Sequence, residues 1–185
     1  MNPDTFREIR FKLILFYVAV PASFLAAWLL FNHQSFLSPA FLNPLHSPDG
    51  KVLLRNDAGG EGHFAASRSG GRSHAGVDIS AEMMAPVYAS KSGRILRSFV
   101  NGGYGEFVEI IHPDLSITRY AHLSKRFVTS GQWISSDRPI GLVGKTGNAG
   151  DDNIEPHMHF EIRMDNEPVD PMQFLNQSKD SQYVD

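Results

Sequence analysis

The chain contains no cysteine. That excludes disulfide staples, thiol nucleophiles and any structural zinc site built on thiolates. It also fits an oxidising compartment, where stray thiols are a hazard. Two motif absences narrow the chemistry further. There is no Gly-x-Ser-x-Gly elbow for a nucleophilic serine, and no His-Glu-x-x-His helix with its glutamate base. An excess of one charge is missing as well. Seventeen basic and 20 acidic residues leave a formal net charge of −3, so nothing electrostatic points to nucleic acid.

What is present suffices for one domain with a sizeable core: 185 residues, 42% hydrophobic and 20% charged. One apolar run stands apart. Leu13 through Phe31 carry no charge, and as a helix they cover about 28 Å of the ~30 Å hydrocarbon core of a bilayer. Pro21 in its middle is tolerated in a membrane helix, and Tyr17 and Trp28 suit the two interfaces. A cleaved signal peptide would need the run to stop at Ala26-Ala27, but Trp28-Leu29-Leu30-Phe31 continue it. A buried soluble helix would show a polar face, and this one has none. The expectation is an uncleaved transmembrane anchor over residues 13–31. Arg7, Arg10 and Lys12 precede it, and the first basic residue after it is Lys51. The positive-inside rule then leaves residues 1–12 in the cytoplasm and everything after residue 32 outside the bacterial inner membrane, in the periplasm or extracellular space.

Residues 32–50 hold three prolines and little periodicity, which reads as a linker or a loose strap. His33 and His46 lie in it and are read as solvated. From residue 51 short β-like runs alternate with glycine: Pro86–Ala89, Gly93–Leu96, Phe107–His112, Ile117–Tyr120 and Gly141–Gly144. Helical pattern is confined to Pro171–Leu175. The expected fold is mainly β, a small antiparallel sheet over residues 51–176 with its loops gathered on one side, followed by a flexible tail at 177–185.

Two histidine motifs carry the chemistry. In His157-Met158-His159-Phe160-Glu161-Ile162 a strand puts His157, His159 and Glu161 on one face and the apolar residues on the other. The two imidazoles can share a metal, or one can bind while its neighbour acts on substrate. His74-Ala75-Gly76-Val77-Asp78 has helical spacing, but Gly76 and the β-branched residues after it favour a turn into a strand. Together the motifs offer the nitrogen and oxygen donors of a zinc site with an open position. With no glutamate base motif, a hydrolase built here takes its general base from a histidine. His122 follows a predicted strand. His112, before Pro113-Asp114, reads as structural, and His63 in a glycine-rich loop is assigned nothing.

Gly71-Arg72-Ser73-His74-Ala75-Gly76-Val77-Asp78-Ile79, Ala85-Pro86-Val87, Gly103-Tyr104-Gly105, Tyr120-Ala121-His122-Leu123-Ser124, Ile140–Gly147 and Pro156–Glu161 together resemble the lysostaphin-type (LytM-domain) zinc metallopeptidases. The likeness covers roughly residues 59–175. It implies that His74, Asp78 and His159 ligate one Zn²⁺ and that His122 and His157 stand beside it as catalytic histidines. It also implies cleavage of peptide bonds in the stems or cross-links of bacterial peptidoglycan. Three departures touch groove walls and turns: the longer segment 148–155 with Glu155 in place of glycine, Met84, and Asp137-Arg138-Pro139. The competing reading is a non-enzymatic regulator of other wall hydrolases. Members of that kind lack one or more of the five positions, and this chain keeps all five.

Overall fold

A computed structural model of the chain describes residues 17, 20–25, 40–46, 51–136 and 138–175. The chain divides into two compact units, Met1–Leu37 and Ser38–Asp185. In the first, residues 17 and 20–25 are helical. The rest of the expected membrane span, 13–31, lies outside the described residues. Among the described residues no helix is long and apolar enough to cross a membrane.

The second unit is mainly β and antiparallel throughout. Two short hairpins come first, β1 (Asn56–Asp57) with β2 (Gly60–Glu61) and β3 (Ser67–Arg68) with β4 (Arg72–Ser73). The main sheet contains β5 (Val77–Ser80), β6 (Pro86–Tyr88), β7 (Gly93–Asn101), β8 (Gly105–Ile111) and β9 (Ile117–Arg126). It is completed by β10 (Trp133–Ile134), β11 (Pro139–Val143), β12 (His157–Met164) and β13 (Glu167–Val169). A helical turn, Met172–Leu175, closes the described chain.

Alternation explains the core. Val77 and Ile79 of β5, and Met158, Phe160 and Ile162 of β12, are buried against Tyr120, Val108 and Ile110. Each such side chain contributes roughly 1.5–3 kcal/mol by leaving water. The opposite faces of β5 and β12 are thereby free to present polar groups. Residues 40–46 lie on this unit. Phe41 and Leu45 enter the core, and Leu45 bridges to Val87 beside edge strand β6.

The sheet forks, and the fork positions the chemistry. The first half of β9 pairs with β12, ending at Ala121 opposite His159. Its second half pairs with β11, starting at Leu123 opposite Val143. His122 sits between the two partners with φ of 59°. The register against β8 slips at the same place, since Glu106 faces Leu123 while Val108 faces Tyr120. Beyond the bulge β9 runs on to Arg126, past Tyr120 where its sequence suggests an end, because its second half pairs with β11. Gly144 closes the fork, because a Cβ there would lie 2.3 Å from the Ser124 nitrogen.

Candidate metal centre

Strand register brings the two distant motifs together. His159 of β12 stands directly opposite Asp78 of β5. With Val77 and Ile79 turned into the core, Asp78 shares the polar face of His159. His74 comes from the turn before β5, held by paired backbone bonds with Ala65 and Ala66. His74 Nε2 lies 2.9 Å from His159 Nδ1 and 3.1 Å from Asp78 Oδ1. His159 Nδ1 lies 2.9 Å from Asp78 Oδ1. All three residues are buried and line the floor of an open groove of about 840 Å³.

The ring protons follow from what each far nitrogen touches. His74 Nδ1 donates to the His63 carbonyl at 2.8 Å, so its neutral ring leaves Nε2 as a lone pair. His159 Nε2 donates to Glu161 Oε1 at 3.1 Å, which leaves Nδ1 bare. Two nitrogen lone pairs and a carboxylate oxygen therefore face one point. Such a cluster repels itself unless a cation lies among the donors. A single divalent ion could be held by all three, with the groove side left open, so the donor set fits a metal. A proton fills the same role. Burial opposes charge on His159, but the hydrogen bonds it donates to Asp78 and Glu161 outweigh it and raise its pKa to about 9. Burial likewise pushes Asp78 up, and its bonds to His159 and His74 override that and hold it far below the carboxylate range.

His122 and His157 complete the group. Their rings lie 5.1 Å apart, and that of His122 lies 6.0 Å from His159. His122 Nδ1 donates to the Thr146 carbonyl at 2.8 Å and His157 Nδ1 to the Glu155 carbonyl at 2.7 Å. Each neutral ring thus has a bare Nε2. Burial, then the neighbouring histidine charges, drop the His122 pKa to about 3. Burial also lowers that of His157.

All five expected residues therefore gather at one groove, while the other described histidines lie elsewhere. His112 is buried and bonded to Ser92 and Thr118, His63 is exposed and contributes only its carbonyl, and His46 stacks on Tyr88 at 4.1 Å. Sequence reasoning missed the supports. Glu161 is fully buried and accepts bonds from His159, Tyr104 (2.5 Å), Arg119 (3.2 Å) and Arg163 (2.9 Å). Its place on the His157/His159 face was the available signal. Arg55 and Arg68, which bind Asp78, gave none.

Residues 72–171 match Peptidase family M23. Peptidoglycan DD-endopeptidase ShyB of Vibrio cholerae serotype O1 is 35% identical over 99 residues, 54% of this chain and 22% of that protein. The lipoprotein NlpD/LppB homolog of Pseudomonas aeruginosa is 35% identical over 115 residues, 62% of this chain and 36% of its own length. The chain thus spans well under half the length of these relatives. Among solved structures, a zinc containing peptidase from Vibrio cholerae superposes with a TM-score of 0.60 at 29% identity, covering 72% of this chain and 39% of that one.

Proposed function

This chain belongs to peptidase family M23, and on that premise we propose that it is a membrane-anchored zinc endopeptidase acting on the stem peptides or cross-links of bacterial peptidoglycan. One observation carries the reading: His74 Nε2, Asp78 Oδ1 and His159 Nδ1 meet as lone pairs on the floor of an open groove. These three would hold the ion. Bound zinc supplies Lewis acidity, bringing the pKa of water towards ~7 and polarising a carbonyl.

The chain's own groups handle the protons. Burial keeps His122 and His157 neutral near pH 7, each with Nε2 available. One accepts the proton of the attacking water at Nε2 and passes it to the leaving amine. The other lines the groove beside it, and stabilises charge on the carbonyl oxygen only once its Nε2 carries a proton to donate. The Nδ1 bonds to Thr146 and Glu155 hold both neutral rings with Nε2 bare, the tautomer that a proton acceptor requires.

Anchoring rests on the apolar run at residues 13–31, in which Phe24 and Leu25 are exposed on a helical segment. It would hold the peptidase domain on the periplasmic or outer side. A regulator without activity would not need five donor groups facing one groove, and their retention favours the enzyme. The test is to incubate zinc-loaded full-length protein with purified wall sacculi beside a His159→Ala control. The enzyme releases muropeptides with new peptide termini and the control releases none. A zinc-loaded parent that releases nothing supports the regulator instead.

A further inference from the structure

Asp78 uses only one oxygen towards His74 and His159. Its other oxygen, Oδ2, accepts Arg55 Nη2 at 3.0 Å and Arg68 Nη2 at 2.9 Å. Arg55 is only 4% exposed, and its second arm, Nη1, donates to Asp57. Asp57 Oδ2 accepts the Glu155 N–H at 2.8 Å, and the Glu155 carbonyl accepts His157 Nδ1–H at 2.7 Å. A chain of contacts thus runs from Asp78 through Arg55, Asp57 and the Glu155 peptide to the His157 ring.

The backbone pins the start of this run. Residues 53–55 lie along β5, with Ser80 N donating to Leu53 O and Arg55 N to Asp78 O, both at 2.9 Å. Asp78 N donates to Gly62 O, and Gly62 N to Arg55 O, both at 2.7 Å. A Cβ on Gly62 would stand 2.8 Å from both Arg55 O and Asp78 O, so only glycine permits the approach. Arg55, Asp57 and Gly62 all precede the family-matched region, residues 72–171.

A carboxylate with both oxygens free can turn away or grip an ion with both. Engaging Oδ2 leaves one oxygen for the ion and keeps the remaining position for water. Two guanidiniums also offset the cost of burying the charge. We propose that Arg55 is a positioning residue of the metal centre. It holds Asp78 as a one-oxygen ligand and, through Asp57 and Glu155, keeps His157 in register with it. This inference rests on the zinc reading of the site.

The test uses full-length protein and its Arg55→Met and Arg55→Lys variants, with folding checked by circular dichroism. Lysine keeps the charge but cannot reach both carboxylates. Zinc affinity is read by competition with a chromophoric chelator, and coordination by the visible spectrum of the Co²⁺-loaded protein. Both folded variants are expected to bind zinc about tenfold more weakly. Their Co²⁺ bands should change in position and intensity as Asp78, held at Oδ2 by Arg68 alone, loosens its one-oxygen geometry. A folded Arg55→Lys protein with the parent's affinity and spectrum overturns the inference. Failure of both variants to fold also overturns it, by assigning Arg55 to the fold alone. A parent that binds zinc but releases nothing from sacculi refutes the hydrolase reading and leaves this inference standing.

Discussion

His74 Nε2 and His159 Nδ1 face each other at 2.9 Å, and neither has a proton to give when both rings are neutral. The far-side protons are committed to the His63 carbonyl and to Glu161. Asp78 Oδ1 closes the triangle, so the cluster calls for a cation.

In the metal-free protein that cation is a proton on His159, whose pKa lies at about 9. Zinc and this proton compete for one place. Zinc binding at pH 7 is therefore expected to release close to one proton per ion, shrinking as the pH passes 9. Apparent affinity should climb with pH over the same range. Calorimetry in buffers of different ionisation enthalpy reads the proton count, and zero release at pH 7 would rule out the assignment.

The two remaining imidazoles are expected to separate from the ligands by phenotype. His122→Ala and His157→Ala should each retain zinc and lower kcat by about 10²–10⁴-fold. Metal analysis beside muropeptide release decides it. Full activity in either variant removes that histidine from the mechanism.

Glu161 orients His159 from beneath while accepting the Tyr104 hydroxyl. Glu161→Gln is expected to weaken zinc binding by roughly 10–100-fold. Burial first, and then the Glu161 charge, hold the Tyr104 pKa at about 12. The variant should ionise Tyr104 at lower pH, visible as phenolate absorbance. An unchanged titration and affinity would show that the carboxylate charge is immaterial.

His112 makes acid stability testable away from the groove. Burial, with the Lys91 charge adding to it, lowers its pKa from 6.5 to about 4, despite the bond to Ser92. The unfolded chain then takes up a proton that the folded chain refuses. Stability is complete above pH ~6.5, falls as the pH drops towards ~4, and levels below, by on the order of 3 kcal/mol. Urea midpoints of metal-free protein at pH 7 and pH 4.5 should differ less in His112→Gln than in the parent. Equal pH dependence would contradict this.

The core and the site differ in how far the amino-acid sequence alone announces them. Burial imposes a period of two, so Met158, Phe160 and Ile162 announce their inward face and place His157 and His159 on the other. Gly76 likewise marks the turn that delivers His74 and Asp78. The bulge at His122 leaves no such trace, because a positive φ at a histidine has no side-chain pattern of its own. Arg55 is legible least of all. Its contact with Asp78 spans 23 residues and depends on where two backbones meet.

Zinc per chain in purified, zinc-dialysed protein, measured by elemental mass spectrometry with His74→Ala, Asp78→Ala and His159→Ala alongside, decides whether these three residues form a metal site. One ion per parent chain is expected, with near-complete loss in each variant. A parent that holds well under one ion, or variants that keep the parent's content, would contradict it.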